Sequence, residues 1–171
     1  MSTYVRLPTG VAGIMTRIII FLLASMAVSA APAEVAGVYE WRVVTDLETT
    51  YEKIYNSLEE NRFFVVFEPD IGRNLAGFAE RWGEDYNRNA LTGIRSMVFC
   101  NAWYANQVSN LEPRLLALCP LHLTLYRMAD TTHIVFARPT VLANDTAVAA
   151  LVTELEADVV KAVQQGIDAL E

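Results

Sequence analysis

Cys100, Cys119 and His122 are the residues in this chain best suited by type and spacing to do chemistry. All three fall in FCNAWYANQVSNLEPRLLALCPLH, residues 99–122, which holds both cysteines and one of the two histidines. Three chemistries fit. The first is structural: a disulfide, or two small buried hydrophobes. An even cysteine count of two permits one bridge in an oxidising compartment. Closing a loop of about 20 residues is worth roughly 3 kcal/mol in the chain-entropy argument. The second is a metal or haem site. Two thiolates and an imidazole suit copper(I) or zinc, with Met97 and Met128 as further soft donors. Cys119-Pro120 also has the form of a dipeptide that holds haem through a thiolate. Cys-x-x-His is one short element where strong zinc signatures use two. Cys-x-x-Cys-His is absent, which excludes covalent c-type haem. The third is thiol chemistry, a redox dithiol or a carrier of sulfur species. Arg114 and His122 flank Cys119 and favour a thiolate, but no Cys-x-x-Cys occurs. The structural reading carries the most weight of the three.

Between the cysteines, Asn101 precedes WYANQ, 103–107, which Trp103 and Tyr104 open and which reads as a polar-aromatic loop of binding-site composition. With Cys100 and Cys119 they form the candidate ligand or disulfide set. His122, with the two cysteines, completes the candidate metal set. Trp41, Trp82, Trp103, Tyr86 and Tyr104 are candidates to line an apolar pocket, though core packing accounts for most aromatics at these spacings. Glu84 and Asp85 read as a solvated loop and His133 as a surface or edge residue. There is no Gly-rich phosphate loop and no Gly-x-Ser-x-Gly. These absences favour a binding domain over an enzyme, without deciding the matter.

The elements that position this stretch follow from periodicity. VYEWRVV, 38–44, predicts a strand. Asp46 caps a helix whose apolar face is Leu47, Tyr51, Ile54, Tyr55 and Leu58. FFVVFE, 63–68, reads as a buried strand. Residues 74–89 read as a short helix with Leu75, Phe78 and Trp82 on one stripe, weakened by Gly77 and Gly83. IRSMVFC, 94–100, is a strand. Residues 106–118 read as one or two helical turns, with Pro113 in a first turn and Asn110 as cap. LHLTLYRM, 121–128, sets Leu121, Leu123 and Leu125 opposite His122, Thr124 and Tyr126. A turn over 129–132 leads to a hairpin partner, 133–138, stopped by Pro139. A long last helix is capped by Asn144 or Asp145. Its apolar stripe runs from Val148 to Leu170, with Glu154, Glu156 and Asp158 largely on the other face. The fold class is α+β: a mostly antiparallel curved sheet of about five strands, covered on one face by the first and last helices.

Residues 18–31, IIIFLLASMAVSAA, follow Arg17 and precede APAEVAG. A short apolar run, a basic flank and a small-residue site are the parts of a secretory signal. The run is short for a spanning helix, which needs about 20 residues. Ala31-Pro32-Ala33 places cleavage before Glu34, with Val28-Ser29-Ala30 as the competing site and Met15 as an alternative start. The expectation is a signal over 1–33 and a single domain over 34–171, periplasmic or secreted, with no stable membrane span after cleavage. The shortened chain keeps 11 basic and 20 acidic side chains, a formal charge of −9. That excess argues against nucleic acid and anionic membranes as partners. Homo-oligomers and small-ligand or protein partners stay open. So does the cofactor, with none, copper, zinc and haem all standing.

VFCN, NLEPRLLALCPLHLTLY and THIVFARPT together resemble the domain of unknown function 302 family. The anchors are Phe99, Asn101, Pro113, Pro120, Tyr126 and Pro139. The helix over 47–60 followed by RFFVVFE is similar to the family's first helix and second strand. The resemblance covers about residues 38–140. It implies a small curved antiparallel sheet backed by helices and no established reaction. Many members have Gly at the place of Cys100 and an apolar residue at that of Cys119, so the pair marks a subgroup. An association of some members with sulfur or redox genes is a further hint toward thiol chemistry. The sequence therefore points first to an exported domain that binds a small ligand or a partner beside 99–122. A redox or sulfur-handling protein comes second, and a copper, zinc or haem protein third.

Overall fold

The computed structural model describes residues 35–171. The signal expected over 1–33, with its expected cleavage site, lies outside the described residues. Five strands form one antiparallel sheet in the order β1-β5-β4-β3-β2. They are β1 Val38–Val43, β2 Phe64–Phe67, β3 Leu91–Cys100, β4 Leu121–Met128 and β5 Thr131–Ala137. The helices are α1 Leu47–Glu60, α2 Ile71–Ala76, α3 Ala79–Trp82, α4 Ala102–Leu111, α5 Pro139–Ala143 and α6 Ala149–Asp168. The α+β plan read from the sequence is the plan observed. No helix among the described residues is long and apolar enough to cross a membrane.

Alternation decides which face each strand buries. Leu123, Leu125, Ile134 and Phe136 point together onto α1 and α6 with Met97 and Phe99, and all six are sealed from solvent. Asp46 caps α1 as expected, its carboxylate accepting Thr49 N–H at 2.9 Å. Ile54 and Leu58 of α1 meet Val159 and Val163 of α6 in the same core. The two helices approach closely where α6 carries Gly166. A methyl there would lie 2.8 Å from Ile54 Cδ1 and 3.0 Å from the Lys53 carbonyl oxygen.

Several expectations are corrected. FFVVFE is an edge strand and not a buried one. Phe63, just before β2, enters the core and Val65 packs partly against it, while Phe64, Val66 and Phe67 face solvent. An apolar run by itself does not tell an edge from a centre. The helix over 74–89 breaks at Gly77 into α2, α3 and a short 3-10 turn over Gly83–Asp85. The hairpin turn is only Ala129-Asp130, with Met128 already paired to Thr131. Residues after Pro139 form α5, and α6 starts at Ala149 without a side-chain cap. Asn144 and Asp145 lie before that start. Burial of Val148 and Val152 against Ala143 fixes it instead. Glu156, expected outward, is buried. It accepts from Tyr39 Oη at 2.9 Å, Arg138 Nε at 3.1 Å, and Thr140 N and Oγ1 at 2.9 and 2.6 Å. Burial opposes its charge, yet these donors together hold its pKa below the ordinary carboxylate value.

Candidate functional site

The long strand β3 connects two places with different chemistry. At its C-terminal end the chain leaves the sheet at Cys100 and returns at Cys119. Asn101 between strand and helix accepts Trp103 N–H at 3.0 Å and Tyr104 N–H at 3.3 Å. It therefore caps α4, and WYANQ is the first part of a helix, not a loop. Asn110 lies inside α4. Pro113 opens a 3-10 segment over Pro113–Leu118 with Glu112, not Asn110, in the cap position. This excursion brings the sulfurs together: Cys100 Sγ and Cys119 Sγ are 3.0 Å apart, one thiol donating to the other. Both are partly buried and unbridged. Burial first, then the bond to Cys119 and its charge, pushes the Cys100 thiol up to about 11. Cys100 thus stays protonated near neutral pH and is a poor nucleophile.

Around the pair, Tyr104, Val108, Leu115, Leu118 and Leu121 leave a niche of about 20 Å³. That holds about one water, and an apolar lining gives a water few partners. Tyr104 Oη donates to Asp158 on α6 at 2.7 Å. Burial, then the Asp158 bond, raises the Tyr104 pKa. Trp103 is exposed and packs edge-on against Tyr104. His122 is not part of this niche. It lies on the outward face of β4, opposite Val98, and is exposed. Among the described residues no group of three or more His, Cys, Asp or Glu side chains is arranged to hold a metal ion.

The N-terminal half of β3 borders something larger. A cleft of about 590 Å³ runs between α2, α3, the turn over 83–89, β3 and the start of α1. Its polar lining includes Glu48, Asp70, Arg73, Asp85, Arg88 and Arg95. Trp82, Tyr86, Leu75 and Leu91 add apolar surface. Local structure sets these groups. Asp70 accepts Arg73 N–H at 2.8 Å, and its backbone makes an isolated antiparallel bridge with that of Arg95 in β3. Asn87 folds the turn back by donating to the Leu91 carbonyl at 2.9 Å and accepting Leu91 N–H at 2.8 Å. Gly72 permits close approach, since a methyl there would lie 2.9 Å from Ile94 N. Arg95 donates to Glu48 Oε2 at 2.6 Å and stacks its guanidinium 3.9 Å over the Tyr51 ring. Its Nε is buried with no hydrogen-bond partner among the described residues. Arg88 pairs with Asp85, so Asp85 forms part of a built rim.

The sequence points to a groove beside 99–122 and not to this cleft. A signal was present: four of the 13 basic residues, Arg73, Arg81, Arg88 and Arg95, fall within 23 positions. His133, expected at the surface or an edge, is placed otherwise. It sits in β5, one strand in from the edge, and is buried. Its ring stacks on Tyr126 at 4.6 Å and its Nδ1 is 2.8 Å from Glu40 Oε1. The Arg42 bond, followed by the smaller effect of His133, holds Glu40 below the ordinary carboxylate range against the opposing effect of burial.

The sheet order and helical layer define an α+β domain that matches a known structural class. A crystal structure of an uncharacterised conserved protein DUF302 from Bacillus stearothermophilus superposes with a TM-score of 0.66 at 23% identity. The match covers 77% of this chain and 98% of that one. The family model for the domain of unknown function DUF302 matches residues 39–166, and the chain belongs to that family. No curated protein matches it.

Proposed function

We propose that this chain is an exported binding domain of the DUF302 family that takes a small polar ligand into the cleft beside β3. The observation that carries this reading is the 590 Å³ cleft, in the size range of small-molecule sites. Three guanidinium groups and three carboxylates line it beside Trp82 and Tyr86. That mixture suits a molecule bearing an anionic group together with hydrogen-bond donors. Export is supported by the signal-like composition of residues 1–33. The test is native mass spectrometry of protein purified from its own compartment, followed by a thermal-shift panel of small carboxylates, phosphates and amino acids. A retained mass lost in Arg73→Ala supports the reading. Protein with no retained mass, shifted by nothing in the panel, overturns it.

The 3.0 Å approach of the sulfurs favours a second reading, a thiol pair that forms a disulfide. Formation releases two protons and two electrons to a partner disulfide, which leaves as a dithiol. The raised Cys100 pKa favours a bridge that persists over a pair that cycles. Intact mass with thiol labelling before and after denaturation tests this. A two-dalton deficit resistant to mild reductant supports a lasting bridge, and two free, unreactive thiols in exported protein overturn it.

A further inference from the structure

Resting on the cleft reading above, we infer that the ligand is a free α-amino acid with an apolar side chain. Arg73 holds its carboxylate and Asp70 its ammonium. Pairing among the lining groups singles out these two. Arg95 donates to Glu48 at 2.6 Å, and Arg88 pairs with Asp85. Arg73 and Asp70 make no side-chain ion pair among the described residues. Asp70 Oδ1 is occupied by Arg73 N–H at 2.8 Å, which leaves Oδ2 for a further donor. One charge of each sign therefore remains for a ligand.

Spacing limits what can satisfy both. Asp70 caps α2 and Arg73 lies three residues on, inside that helix. Residues at this spacing are neighbours, about 5–6 Å apart at Cβ. A ligand that meets both carries its own opposite charges close together, as an α-amino acid does. A diamine or a dicarboxylate offers only one sign.

Net charge disfavours the simple anions. The cleft lining holds three guanidinium groups and three carboxylates, so it is balanced before anything enters. A zwitterion preserves that balance, whereas a lone anion adds a charge that the site does not neutralise. The whole chain carries a formal charge of −7, a field that repels anions and leaves a zwitterion unaffected. Leu75, Trp82, Tyr86 and Leu91 line the same cleft. Trp82 stacks on Phe78 and still keeps 40% exposure, apolar area that a ligand side chain covers.

Isothermal titration calorimetry of the purified protein tests this, with L-phenylalanine and L-leucine as probes. 3-Phenylpropionate lacks the ammonium, phenethylamine lacks the carboxylate, and inorganic phosphate is a simple anion. At least one amino acid should bind, with all three controls weaker by about tenfold or more. Asp70→Asn keeps the cap oxygen and removes the charge. It should weaken the amino acid about tenfold and leave 3-phenylpropionate unchanged, whereas Arg73→Gln should weaken both. Controls that bind as tightly as the amino acids overturn the inference and leave the cleft as a site for another class. Amino-acid binding that survives both variants overturns it too, because the molecule then sits elsewhere. Silence of both amino acids also overturns it, while the cleft reading falls only when native mass spectra and the wider panel are silent as well.

Discussion

The two ends of β3 differ in how the chain closes around them. At the C-terminal end a helix and a 3-10 segment fold back over Cys100 and Cys119 and leave about 20 Å³. At the N-terminal end α2 and α3 bury no residue of their own and border about 590 Å³. Both are built on one strand, so the difference lies in the segments that flank it. Leu115, Leu118 and Tyr104 reach Val152, Leu155 and Asp158 of α6, whereas Phe78 and Trp82 stack mainly on each other in solvent. A well-packed corner resists change. An open, charged one leaves room for a second molecule.

The largest expected effect separates the ends by stability. Phe99→Ala removes a fully buried ring beside Cys100 and should cost about 3–5 kcal/mol in urea denaturation. Trp82→Ala at the cleft should cost roughly 0.5 kcal/mol or less. Equal losses would break the contrast. Next, oxidised protein should exceed Cys119→Ala by about 3 kcal/mol, read from denaturation midpoints with and without reductant. In reduced protein the raised Cys100 pKa sets the pH dependence. The thiol's contribution is complete below the ordinary value of 9 and lost as pH rises toward about 11. Oxidised protein should lack this decline, and matching pH profiles for the two forms would count against the assignment. Tyr104→Phe should lose about 1.5 kcal/mol through its bond to Asp158. Smallest in stability, Arg73→Ala should leave the midpoint unchanged and abolish ligand retention in native mass spectra.

Most of the fold was legible because burial imposes periodicity. The α1 stripe and the alternation of Leu121, Leu123 and Leu125 name their own faces. Places decided by tertiary partners were not legible. FFVVFE carries no mark that its strand lies at an edge. Glu156 breaks an apolar stripe without disclosing the donors that receive it. The cysteine corner was visible because cysteine is rare in the chain. The cleft was not, because its arginines and carboxylates come from four elements and read singly as solvated charge. Only their density between 73 and 95 hinted at it.

The carboxylate of Glu156 joins Tyr39 of the first strand to the last helix, across 117 residues of chain. On a ribosome Tyr39 is made long before that partner exists, and β1 also waits for β5 to pair with it. The sheet therefore cannot be secured at this edge until β5 and α6 have both emerged. Chains halted before α6 should remain open to protease at β1, so docking of α6 is what locks the first strand in place.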